Sequence, residues 1–225
     1  QRQSYIREMI AGLAYDDRDW GAVRAGARLV RNLSCEELLV IGDLGDRGPR
    51  MDRVIETLKR QPKCNLLWGN HDMLWIGSML GHEPCMLTCL RFSLRYRKLS
   101  QLEEGYGVIM APLERLVRQV YAEDPAERFK PKGEGFRDTL TVARMQKAVA
   151  IMQFKAEGRM IERHPEWNLA HRRLLHKIDL ASGVVEIDGV KHPMLDTHLP
   201  TIDPEDPYRY SDEEEACIER LKESF

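Results

Sequence analysis

The stretches Gly42-Asp43-Leu44-Gly45-Asp46-Arg47-Gly48 and Gly69-Asn70-His71-Asp72 decide how this chain of 225 residues is read. Each directly follows an apolar run, Leu38-Leu39-Val40-Ile41 for the first and Cys64-Asn65-Leu66-Leu67-Trp68 for the second. Such runs read as buried strands, so both clusters are expected at strand C-terminal ends, where open α/β sheets place ligands. Between them, Pro49 is expected to open a helix that holds Val54, Ile55 and Leu58. Strand, loop, helix and strand make a βαβ unit with its loops at one edge, and the expected fold class is α/β.

Residues 1–33 read as helices, the first patterned by Tyr5, Ile6, Met9, Ile10 and Leu13, the second by Trp20, Val23, Ala27 and Val30. From Met73 to about residue 180 helical patterns dominate, and Val142, Met145, Val149, Met152 and Ala156 mark one helix packed on its neighbours. Ala122 to Arg137 collects Pro125, Pro131, Gly133 and Gly135 among many charges and reads as a long surface loop. Val184 to Val190 alternates around Asp188-Gly189, a strong hairpin signal. Pro193, Pro200, Pro204 and Pro207 mark an extended connector, after which Ser211 and Glu214 suit a capping box. The acidic run Asp212 to Glu215 fits the positive end of that last helix better than a metal site. The expected division is a partial α/β core over 1–72, a mainly helical insertion over 73–182, and a hairpin, connector and C-terminal helix over 183–225.

Composition narrows the function. Thirty-four Lys and Arg against 36 Asp and Glu give no reason to expect nucleic acid or an anionic membrane as the main partner. No run approaches the ~20 apolar residues of a membrane span, and the start lacks a secretory pattern, so the cytoplasm is the expected compartment. Five cysteines without a Cys-x-x-Cys pair read as reduced thiols. Gln1 stands close to a helical pattern already under way, as in an internal segment of a longer chain, and self-association is left open.

The two clusters hold carboxylates, an arginine, an amide and an imidazole, the equipment of a metal-dependent phosphoesterase. Phosphate monoesters hydrolyse so slowly that catalysis needs a strong nucleophile and neutralisation of the transferring group. Two divalent metals roughly 3.5 to 4 Å apart supply both. Asp43 is the candidate bridging ligand, and Asn70 offers an uncharged oxygen to one metal. His71 brings an imidazole, a side chain type suited to protonation of the leaving alkoxide, with Asp46 holding its ring. Arg47 is placed to fork two phosphate oxygens. Either cluster alone also fits a surface turn or a helix cap; the ordered pair, each after a strand, fits them poorly.

The Gly-Asp-x-x-Asp-Arg-Gly and Gly-Asn-His-Asp patterns resemble two signatures of the calcineurin-like metallophosphoesterases. That resemblance implies a sandwich of two β-sheets flanked by helices, with Asp43 bridging two metals, Asn70 on one, His71 as acid paired with Asp46, and Arg47 on phosphate. Most of the chain is further similar to the class III fructose-1,6-bisphosphatases of bacteria, through residues 68–75, 104–107, 129–132, 147–155 and 200–204. This implies hydrolysis of fructose 1,6-bisphosphate to fructose 6-phosphate in gluconeogenesis, with manganese the usual metal.

The sequence departs from that pattern in places. No Asp-x-His precedes Gly42, no Gly-His or Gly-His-x-His ligands follow, and Gly45 stands where relatives commonly carry a bulky residue. His82, His164, His171, His176, His192 and His198 are expected in surface or capping roles, with His171 and His176 on different faces of one helical stretch and His82 in a loop without a nearby partner. Arg128, Lys130, Lys132 and Arg137 are placed on a solvated loop rather than on a second phosphate, and Arg91, Arg95, Arg97 and Lys98 on a solvated helix face. The alternatives are a protein Ser/Thr or dinucleoside polyphosphate phosphatase, and a metal-free interaction module.

Overall fold

A computed structural model describes residues 2–13, 19–133, 135 and 137–225. The chain divides into two compact units, one of residues 1–41 and 55–67, the other of residues 42–54 and 68–225.

The first unit holds α1 (Arg2–Leu13), α2 (Asp19–Ser34), β1 (Leu38–Val40) and β2 (Cys64–Leu66). Strands β1 and β2 pair in parallel, Leu38 opposite Cys64 and Val40 opposite Leu66. Helix α3 (Met51–Leu58) lies between them in sequence, so the strand, loop, helix, strand order is present. The helix starts at Met51, two residues after Pro49. Burial of the strands is not observed: Leu39, Ile41, Leu66, Leu67 and Trp68 are exposed. Parallel strands are normally hidden by layers on both faces, and two strands of three residues have too little area to hide themselves. The expected stripe of α2 is likewise open, with Val23 and Val30 exposed; the side chains of Ile10, Leu13 and Trp20 lie outside the described residues.

The second unit is mainly helical: α4 (Asn70–Met79), α5 (Glu83–Arg95), α6 (Ala111–Val120), α7 (Thr139–Arg163) and α8 (Asp212–Ser224). Asp138 caps α7 by accepting the Thr141 N–H at 2.7 Å. All five apolar residues read from its pattern, Val142 to Ala156, are buried in one core with residues of α5, α6 and α8. Ser211 and Glu214 form the capping box of α8. The hairpin is present as β4 (Val184–Ile187) and β5 (Val190–Pro193), turned by Asp188 and Gly189 at φ 50° and 76°, the left-handed pair a two-residue turn requires. A third strand, β3 (Ile178–Asp179), pairs with β4. Mixed helix and sheet agrees with the α/β class, and among the described residues no helix is long and apolar enough to cross a membrane.

Two charged side chains on α7 tie the irregular segments to the core. Lys147, fully buried, donates to Asp124 at 2.6 Å and to Asp196 at 2.8 Å. Lys155, equally buried, donates to Glu214 at 2.6 Å and to the Thr201 carbonyl at 2.5 Å. The segment 122–137 is therefore not simply a surface loop: Asp124 and Ala126 are buried, because Lys147 draws the carboxylate inward. Its Glu134 and Phe136 lie outside the described residues.

Burial pushes the Asp124 carboxyl toward its neutral form, but hydrogen bonds from Lys147 and His198 outweigh this and hold it below the usual carboxylate value. A carboxyl with a lower pKa folded than unfolded stabilises fully above the ordinary range, and that contribution drains away as pH falls through the folded value. Stability from urea unfolding is expected to decline below about pH 4, and Asp124→Asn is expected to be less stable at pH 7 with a shallower acid decline.

Candidate active site

Both motif loops group with the helical unit rather than with the strands they follow in the chain. What joins them is Asp72, at the third position of α4. Its Oδ2 accepts the N–H of Asp43 at 2.6 Å and of Gly69 at 2.8 Å, and its Oδ1 accepts the N–H of Leu44 at 3.1 Å. The side chain is nearly buried, and it also suits the positive first turn of the helix. In return, Asp43 Oδ1 accepts the His71 N–H at 3.1 Å. The loops pass so closely that a Cβ on Gly69 would stand 2.0 Å from Asp43 Oδ1. Asp43 adopts a left-handed backbone, φ 55°, uncommon for a residue other than glycine and held here by the Asp72 contact.

On this frame the predicted residues fall as follows. His71 Nε2 lies 3.3 Å from Asp46 Oδ1, and its ring packs against Phe92 with centroids 5.3 Å apart. Arg47 extends into solvent, 82% exposed, with its Nε 3.6 Å from Asp46 Oδ2. Asp43 and Asn70 are exposed. Their carboxylate and amide oxygens are hard donors suited to a divalent cation. Among the described residues, however, no group of three or more His, Cys, Asp or Glu comes together to hold a metal. The donor chemistry fits part of a metal shell, not a closed one.

Several expectations change. Arg91, Arg95, Arg97 and Lys98 do not form a solvated helix face. Arg91 donates to Gln153 at 2.6 Å, Arg95 to the Lys130 carbonyl at 3.1 Å, and Arg97 to the carbonyls of Gly133 and Arg137 and to Thr139. Helix α5 ends at Arg95, and Lys98 is buried, only 4% exposed. Arg137 pairs with Glu103 and Glu114, while Lys130 meets Glu127 on the surface. His171 and His176 occupy separate short turns rather than one helix, and His176 Nδ1 meets the Tyr208 hydroxyl at 2.9 Å. His82 takes the capping role expected of it at the start of α5, its Nδ1 accepting the Cys85 N–H. At Gly45, the Trp75 indole fills the space a side chain would need.

Asp72 is the residue that sequence reasoning left without a role. The signal was present, since an acidic residue three positions after Gly69 is a helix-start pattern. Its reach across 29 residues to Asp43 was not. Asp72→Ala leaves three amides without their acceptor and is expected to cost about 2–3 kcal/mol, read as a lower urea midpoint at unchanged m-value.

Comparison with known proteins gives the family of the chain. The family described as Firmicute fructose-1,6-bisphosphatase matches residues 1–225. A class 3 fructose-1,6-bisphosphatase of Clostridium acetobutylicum is 39% identical over 229 residues, covering 100% of this chain and 34% of the relative. Relatives of the same name from Listeria innocua and Bacteroides fragilis are each 38% identical, with 100% of this chain and 35% of the relative covered. The chain thus spans about a third of the length of these curated relatives. No solved structure matches it. With a match along its whole length, the chain belongs to the Firmicute fructose-1,6-bisphosphatase family.

Proposed function

We propose that the protein carrying this sequence is a phosphomonoester hydrolase that converts fructose 1,6-bisphosphate and water to fructose 6-phosphate and phosphate, and that this chain forms the centre of its active site. The observation that carries the reading is the His71–Asp46 pair, 3.3 Å apart, with Arg47 beside it on a loop pinned by Asp72. The names of the relatives support the same substrate. The parallel β1–α3–β2 unit, with a motif loop after each strand, supports a calcineurin-like sandwich as the parent fold.

In this mechanism His71 Nε2 gives a proton to the sugar oxygen as the phosphorus–oxygen bond breaks, while water adds its oxygen to phosphorus and releases a proton to solvent, from which His71 is reprotonated. The alkoxide leaves as an alcohol, which removes the largest obstacle to its departure. Asp46 orients the imidazole and balances its charge. Arg47, free to swing in solvent, grips the equatorial phosphate oxygens by its two parallel donors. A divalent metal, manganese in our reading, would be held in part by Asp43 and Asn70 and would supply an acidified water and charge neutralisation.

In the full-length enzyme His71→Asn is expected to lower kcat about 10²- to 10⁴-fold with a much smaller change in KM. An unchanged kcat would remove His71 from the acid role, and faster phosphate release from a phosphopeptide than from the sugar bisphosphate would sink the substrate. Calorimetric titration of manganese is expected to show weaker binding to Asp43→Asn than to wild type; equal binding would take Asp43 out of the ligand set.

A further inference from the structure

The segment from Lys98 to Gly105 follows α5 and closes into a π turn over Gln101–Gly105. It touches the first motif loop and the start of α3 at four places. Lys98 Nζ donates to the carbonyls of Gly45 at 3.0 Å and Asp46 at 2.5 Å. Gln101 Oε1 accepts the Met51 N–H, the first amide of α3, at 2.9 Å. Glu104 Oε2 pairs with Arg50 Nη1 at 3.0 Å. The Gly105 backbone lies so near Asp52 that a Cβ there would stand 2.8 Å from its carboxyl carbon. π turns recur at functional sites, and this one lies against residues 50–52 on the chain segment that carries Asp46 and Arg47.

Lys98 is the unusual member. Burying an ammonium costs several kcal/mol, and two carbonyls can be satisfied by any neutral donor without that cost. What a cation adds here is attraction for the Asp46 carboxylate, which partly offsets the loss of hydration. That carboxylate faces two partners at once, Oδ1 toward His71 Nε2 at 3.3 Å and Oδ2 toward Arg47 Nε at 3.6 Å. The His71 ring has a second support in Phe92, whereas the Asp46 main chain takes the closest of Lys98's contacts.

We propose that Lys98 is a positioning residue for phosphoryl transfer: by fixing the main chain of Gly45 and Asp46 it holds the Asp46 carboxylate against His71. The role rests on the reading of His71 as general acid. Because catalysis tolerates little error in the placement of a proton donor, loss of the clamp acts on turnover more than on substrate binding.

The test is a double-mutant cycle in the full-length enzyme, with Lys98→Met and His71→Asn alone and combined. Lys98→Met is expected to lower kcat about 10- to 100-fold with KM within about twofold, and Lys98→Arg to recover part of the loss. In the His71→Asn background Lys98→Met is expected to add almost nothing, since it acts through His71. If Lys98→Met does not fold, Lys98→Ala, which removes the clamp and leaves room for water at the two carbonyls, carries the same cycle. An unchanged kcat in the folded Lys98 variant would overturn the proposal. So would a full multiplicative loss in an impaired His71→Asn enzyme, and that result would leave the general-acid reading standing. A His71→Asn enzyme with normal kcat would instead overturn that reading, and the role of Lys98 with it.

Discussion

One carboxylate, Asp72, accepts hydrogen bonds from three main-chain amides in two loops, and the geometry of the candidate site follows from it. An ionised acceptor is about twice as strong as a neutral one and reaches several donors at once. Here it brings Asp43 against Gly69, a contact only glycine permits, and sets His71 on the first turn of α4. It also sustains the left-handed backbone of Asp43, which leaves that side chain open to solvent. Local strain at one residue is thus held by a contact the chemistry does not use.

The helical unit repeats the device with the opposite sign. Lys98, Lys147 and Lys155 are all buried, and each reaches from a helix or its end to an irregular segment. A buried ammonium is a weak contributor to net stability but a specific one, because leaving its partners strands a charge. Segments rich in proline and glycine, which cannot build a regular ladder, are held in one place by these contacts. In this way a chain with few strands keeps its 122–126, 196–201 and 45–46 segments in register with the core.

Much of this was legible beforehand where the governing interaction is local. The α8 capping box, the Asp188-Gly189 turn and the apolar pattern of α7 each depend on residues within a few positions of one another, and each is present as read. The burial of β1 and β2 was not legible, because it depends on what covers the sheet rather than on the strands' own composition; Leu39 and Leu66 are as apolar as any core strand residue and are exposed. Lys98 failed in the other direction. Among Arg91, Arg95 and Arg97 it looks like one more solvated charge, and only the approach of the Gly45 and Asp46 carbonyls shows otherwise.

The sequence by itself determined the chemical inventory: a carboxylate, an imidazole and an arginine in two glycine-bracketed clusters, and a match to one phosphatase family over the whole chain. Only the tertiary structure decided that Asp72 joins the clusters and that Lys98 holds the Gly45 and Asp46 carbonyls. The reason is physical. Reactivity resides in residue types and their local spacing, whereas a hydrogen bond between residues 29 or 52 positions apart exists only after the backbone has closed that distance.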